Sequence, residues 1–144
     1  MSKQNQQWMT EAVPRDVGNP ATTIEVLYVE DNPEFADLCV SCLQSENDQL
    51  DITCAPDPST GLEQLSTEVD CVVSDYNMPR MNGIEFLDAV RETYVDLPFI
   101  LFTAREPTVV SSEIVESEPT LYIHKEGGID QFTKLADRIL NVVN

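Results

Sequence analysis

Two hydrophobic periods alternate along this chain, and the switches between them mark its elements. Residues 1–23 carry neither period. Gln, Asn, Pro, Gly and Thr are mixed there without order, which predicts a mobile N-terminal tail holding the only tryptophan, Trp8, exposed. Order begins at Ile24. The run IEVLYV, Ile24 to Val29, is apolar and β-rich, and Asn32-Pro33 then reads as an N-cap followed by proline at the first helical position. Phe35, Leu38, Cys39, Cys42 and Leu43 fall at i, i+3, i+4, i+7 and i+8, one helix face. Leu50, Ile52 and Cys54 alternate, as in a strand near a sheet edge. Asp57-Pro58 opens a second helix carrying Leu62 and Leu65, and Val69 to Val73 is a third strand. Asn82 and Glu85 have the spacing of a capping box, with Ile84, Leu87 and Val90 behind them, and Val95 on or just past the same helix. PFILF, Pro98 to Phe102, is the most apolar strand. Residues 107–117 form a weak helix, Leu121 to Ile123 a short strand, and Phe132, Leu135, Ala136, Ile139, Leu140 and Val143 a strongly periodic last helix.

Five strands thus alternate with five helices. Strands joined by helices imply a parallel sheet with helices on both faces. For five strands the expected fold is the α/β flavodoxin-like (βα)5 arrangement, a doubly wound parallel five-stranded sheet in the order 2-1-3-4-5. The continuous apolar runs of strands one, three and four suit central positions, and the alternating second strand suits an edge.

In such a sheet the functional crevice lies beyond the carboxyl ends of the strands. Glu30 and Asp31 follow the first strand. Asp75 follows the third, with Asn77 two residues on. Thr103 and Ala104 follow the fourth, and His124 and Lys125 the fifth. The expected order makes these strand ends neighbours, so three carboxylates, a hydroxyl and an ammonium share one pocket. Three acids that close repel, and one takes up a proton unless a cation sits between them. A hard divalent ion with oxygen ligands, Mg²⁺ above all, is the natural counterion. A carboxylate beside Mg²⁺, with an ammonium and a hydroxyl nearby, is equipment for phosphoryl transfer onto the carboxylate.

The residues that meet in this pocket carry a resemblance. YVEDNPEF with its acidic pair, SDYNMPRMNG, FTA around the hydroxyl and YIHK at the lysine occur in that order, each at a strand end. With these motifs residues 24–144 resemble a response regulator receiver domain of two-component signalling, SDYNMPRMNG matching the family's D-x-x-M-P-x-x-x-G. The resemblance implies that Asp75 is the phosphoacceptor. It makes Glu30 and Asp31 the acidic pair that binds Mg²⁺, with Asp75 as a third ligand and Asn77 offering its backbone carbonyl. It makes Thr103 the switch hydroxyl, Lys125 the lysine that bonds a phosphoryl oxygen, and Tyr122 the aromatic that changes rotamer on activation. It further implies a histidine kinase or phosphotransfer protein as donor, and no enzymatic activity beyond the chain's own phosphorylation and dephosphorylation. The family commonly has a proline after the lysine, often in a cis peptide. Here Glu126 and then Gly127-Gly128 stand there, so the Lys125–Glu126 bond is expected to be trans.

Charge narrows the partners. The chain carries 26 acidic against 8 basic residues, net −18, and since Lys3 and Arg15 cancel Glu11 and Asp16 the whole of it falls on residues 24–144. Such a body is repelled by nucleic acid and by anionic membrane surfaces. The acids are spread over every helix, which reads as a surface adapted to a salt-rich, halophilic cytoplasm, with a docking face for a basic partner as the competing reading. No apolar stretch approaches the roughly 20 residues of a membrane span or forms a signal peptide, so a cytoplasmic protein without membrane insertion is expected. No DNA-binding output segment is visible, and the signal is expected to leave through contact with an unknown protein target or by phosphorelay. Cys39, Cys42, Cys54 and Cys71 sit in apolar patterns and read as small buried hydrophobes, the Cys39–Cys42 pair included. His124, the only histidine, reads as an exposed or packing side chain, and Arg105 as a group at the pocket mouth that tunes phosphoryl lifetime. Two other functions stay open: a Mg²⁺-dependent phosphohydrolase with an aspartyl nucleophile, against which Asn77 stands where a second acid is wanted, and a pseudo-receiver that binds partners without phosphorylation.

Overall fold

The computed structural model describes residues 23–104 and 120–143. Among these, β1 (Ile24–Val29), β2 (Leu50–Ala55), β3 (Cys71–Ser74), β4 (Phe99–Thr103) and β5 (Leu121–His124) alternate with α1 (Pro33–Glu46), α2 (Pro58–Gln64), α3 (Gly83–Arg91) and α4 (Asp130–Val143). The five strands form one sheet in the order β2-β1-β3-β4-β5, every pairing parallel. This is the flavodoxin-like order 2-1-3-4-5 expected from the sequence. The helix expected over 107–117 lies outside the described residues, as do Trp8, Arg105 and the tail through residue 22. No described helix is long and apolar enough to cross a membrane.

The helix starts are local events. Asn32 accepts from the backbone N–H groups of Glu34 and Phe35 with Pro33 next in line, and Asp57 accepts from Thr60 ahead of Pro58. Asn82 and Glu85 complete the reciprocal capping box at α3. Leu65 does not extend α2 but is its C-cap residue, just past the helix end.

Period-two alternation in the central strands feeds two cores. Val26, Tyr28, Val73, Ile100 and Phe102 face α1 and α4, where Cys39, Leu43, Phe132, Leu135 and Ile139 pack. Leu27, Val29, Val72, Phe99 and Leu101 face the other side, where Ile84, Phe86, Leu87 and Val90 of α3 pack. Val69 lies before β3 rather than in it, and Leu38 and Cys54 differ from the sequence reading in burial. Leu38 is half exposed, because the buried stripe of α1 runs through Ala36, Cys39 and Leu43 and Leu38 lies more than 90° round from it. Cys54 is exposed rather than buried: β2 is an edge strand covered on one face only at that point. Cys39 and Cys71 are buried and Cys42 half-buried, and none is in a disulfide.

Candidate functional site

Strand register carries the polar groups to one place. Asp75 follows β3, and its N–H donates to the carbonyl of Val29 at 3.1 Å, which sets it beside the end of β1. Glu30 follows β1 and donates its own N–H to Ala55 of the edge strand at 3.1 Å. Thr103 ends β4, fully buried, and its carbonyl accepts the Lys125 N–H at 2.8 Å. The chain leaves β3 through a loop closed by the Gly83 N–H, which donates to the Tyr76 carbonyl at 2.8 Å. Only glycine fits at position 83. A Cβ there would fall well inside van der Waals contact of the Asp75 carbonyl oxygen, 2.8 Å from Leu101 Cδ1 and 2.9 Å from Tyr76 Cα.

Lys125 is the electrostatic centre. Its Nζ lies 2.7 Å from Glu30 Oε1 and 3.4 Å from Asp75 Oδ2. Glu30 is 4 % exposed and well supplied with donors. Oε1 also accepts from the Tyr28 hydroxyl at 3.2 Å, and Oε2 accepts from the Asn32 N–H at 3.2 Å. Burial pushes the Glu30 carboxyl above its ordinary pKa, and Lys125 works in the opposite direction. The same burial drives the Tyr28 phenol strongly upward, so it serves as a donor. At Asp75, Oδ1 accepts from the Tyr76 N–H at 2.7 Å while Oδ2 faces the lysine. One oxygen is therefore held by the backbone and the other is turned into the pocket.

Glu30, Asp31 and Asp75 each bring a carboxylate oxygen within 4.8 Å of the others, the only such group of potential metal ligands among the described residues. Glu30 and Asp75 are buried and Asp31 is exposed. Hard oxygen donors converging at a site open on one side suit Mg²⁺, which needs room for its waters and for a phosphate oxygen. The residues present fit that ion.

The remaining sequence-derived positions divide. Asn77 is exposed in the β3–α3 loop. Tyr122 is half-buried and packs on the α3-side core. His124 lies with Nε2 3.1 Å from the Ala104 carbonyl, a structural contact. The Lys125–Glu126 peptide is trans, as expected, since the described residues contain no cis bond. Two neighbours of the pocket escaped the sequence reading. Tyr28 was legible only as a core residue, although period two places it on the same strand side as Glu30. Phe35, on the apolar face of α1, has its ring under Lys125, the Nζ 4.3 Å from the ring centroid.

The family model described as the response regulator receiver domain matches residues 26–137. The chain belongs to this family. Receiver domains are phosphoacceptor signalling modules, generally not classed as enzymes. This receiver is 28% identical over 120 residues to the bacterioopsin transcriptional activator of Halobacterium salinarum, covering 83% of this chain and 17% of that protein. It is 29% identical over 80 residues to the response regulator SaeR of Staphylococcus aureus, covering 56% of this chain and 34% of that one. The chain thus spans about a sixth and about a third of those relatives. Among solved structures it is similar to the chemotaxis protein CheY4 of Vibrio cholerae, with a TM-score of 0.71, 26% identity, and 81% of this chain and 98% of that chain covered. A receiver domain from Clostridium thermocellum gives a TM-score of 0.73 at 17% identity, covering 84% and 94%, and shares the fold.

Proposed function

We propose that this receiver takes a phosphoryl group from a phosphohistidine onto Asp75, with Mg²⁺ held by Glu30, Asp31, Asp75 and the backbone carbonyl of Asn77. The observation that carries this is that Asp75 turns Oδ2 to within 3.4 Å of an ammonium and belongs to a three-carboxylate cluster in ligating range. The donor is a histidine kinase or a phosphotransfer protein. A carboxylate oxygen of Asp75 attacks phosphorus, the P–N bond breaks, and its electron pair leaves with the imidazole, which takes up a proton. Bound Mg²⁺ supplies charge neutralisation for the transferring oxygens. Lys125 would neutralise another oxygen, swinging from Glu30 towards the new phosphoryl group. Glu30 stays in place through Tyr28 and the Asn32 N–H. Thr103 offers its hydroxyl to the phosphoryl group, and Tyr122 changes rotamer in response, shifting a two-state equilibrium that a protein partner reads. The signal leaves by protein contact or phosphorelay in the cytoplasm, without nucleic acid or membrane insertion, which the acidic surface supports.

The test is direct. The protein is incubated with phosphoramidate and Mg²⁺ and weighed intact. A transient adduct that is lost in Asp75→Asn supports the reading. Sustained turnover of the donor points instead to a phosphohydrolase, and no adduct at all refutes phosphoacceptance and leaves a binding module.

A further inference from the structure

Lys125 is held by more than its two carboxylates. Its Nζ lies 4.3 Å from the centroid of Phe35 in α1 and 5.6 Å from that of Phe102 in β4, both inside the range of a cation–π contact. The Phe35 ring is itself fixed, its centroid 5.8 Å from that of Phe132 and 6.2 Å from that of Phe102, both tilted. We propose that Phe35 is a positioning residue for phosphoryl transfer, its ring face holding the Lys125 ammonium between Glu30 and Asp75. This rests on Asp75 being the phosphoacceptor.

Lysine is a long side chain that loses rotamer entropy when held. Little in the backbone beyond Lys125 helps to hold it. Glu126 follows it by a trans bond, and Gly127 and Gly128 have φ of +86° and +77° with open space around them. The ring adds a restraint to that of the two carboxylates. A ring face attracts the ammonium without accepting a directional hydrogen bond. The N–H donors of Lys125 therefore stay available to Glu30, to Asp75 and to an incoming phosphoryl oxygen, and the group can turn between them without leaving the pocket. A carboxylate in the place of Phe35 would lock it, and water there would solvate it.

Fluorination separates this role from packing, because it drains the ring's negative face while nearly conserving its shape. The full chain is prepared with phenylalanine, trifluorophenylalanine or leucine at position 35. Two quantities are read: the rate of Asp75 phosphorylation by phosphoramidate with Mg²⁺, and the NMR shifts of the side-chain methylenes. The chain has only three lysines, Lys3, Lys125 and Lys134, so the Lys125 signals are readily assigned. The expected result is upfield-shifted Lys125 methylenes in the phenylalanine protein and a rate falling about threefold with the fluorinated ring. With leucine the loss is about tenfold, equivalent to about 1.4 kcal/mol. The Mg²⁺ concentration for half-maximal rate stays within twofold throughout, since Phe35 offers the ion no ligand. If Phe35→Leu does not fold, the fluorinated protein decides by itself. Equal rates with the fluorinated and natural rings overturn the proposal, as do Lys125 methylenes at the shifts they show in the urea-unfolded chain. No adduct on the natural chain overturns the phosphoacceptor reading and this proposal together, whereas an adduct formed at equal rates overturns only this one.

Discussion

Replacing Gly83 with alanine is expected to destabilise the fold by about 3 kcal/mol. The added Cβ would sit 2.8 Å from Leu101 Cδ1 and 2.9 Å from Tyr76 Cα, and closer still to the Asp75 carbonyl oxygen. Ordinary carbon contacts lie at about 3.5–4.0 Å, so the overlap is near 1 Å against two backbone atoms and one buried side chain. Neither backbone atom can turn away, and Leu101 is fully buried. Overpacking of this kind costs about 1–3 kcal/mol, and contact with backbone puts it at the upper end. Moving the start of α3 away to relieve it stretches the Gly83–Tyr76 hydrogen bond, worth about 1 kcal/mol. The better helix propensity of alanine returns at most about 1 kcal/mol. In urea, where m is about 1–3 kcal/mol/M, the midpoint should fall by about 1.5 M at unchanged m. Gly61→Ala in α2 is the control. It gains the same propensity, but its Cβ meets no backbone atom and has longer contacts, 3.0 Å to Val29 and 3.2 Å to Phe86. A Gly83→Ala midpoint lowered by less than about 0.5 M, or no lower than that of Gly61→Ala, would refute the close-approach argument and the turn geometry that delivers Asp75 to the pocket.

Lys125→Met strands the buried Glu30 carboxylate and should cost about 3–5 kcal/mol, the range for removing one partner of a buried ion pair. Most of that should return in Lys125→Met/Glu30→Gln, and strictly additive losses in a double-mutant cycle would show that the pair is not coupled. A thiol reagent at pH 8 should find Cys54 and more slowly Cys42 in the folded protein, but Cys39 and Cys71 only after denaturation; four thiols reacting together would contradict the burial. Burial pushes the Cys71 thiol up to about 12, so its contribution to stability is whole below the ordinary thiol pKa and is lost as pH rises towards 12. Cys71→Ala should flatten that part of the alkaline denaturation curve. Net charge of −18 predicts a melting temperature that rises as KCl is taken into the molar range, and a fall would favour a docking face over salt adaptation.

Much of this molecule is readable along the chain because the responsible forces act over a few residues. Asn32, Asp57 and Asn82 cap their helices through backbone groups two or three positions away. Period two in IEVLYV and PFILF divides their side chains between two faces, and the alternation of βα units leaves a parallel sheet as the consistent packing. Once strand order follows, the convergence of Glu30, Asp31, Asp75 and Lys125 follows with it, since residues at strand ends go where their strands go. The exposed Leu38 and Cys54 were misplaced for the complementary reason. Periodicity says which residues share a face, but not how far the neighbouring layer extends to cover it.

Local pattern and charge, taken alone, determined the strands, the helix starts, the sheet order and the set of polar groups at the strand ends. Only the folded structure decided how those groups pair. Lys125 reaches Glu30 across 95 positions of chain at 2.7 Å and stands farther from Asp75, with the Phe35 ring beneath its ammonium. Such a choice depends on register and rotamers summed over three strands and a helix, and at ångström distances in a poorly solvated pocket those small displacements determine which charge a lysine serves.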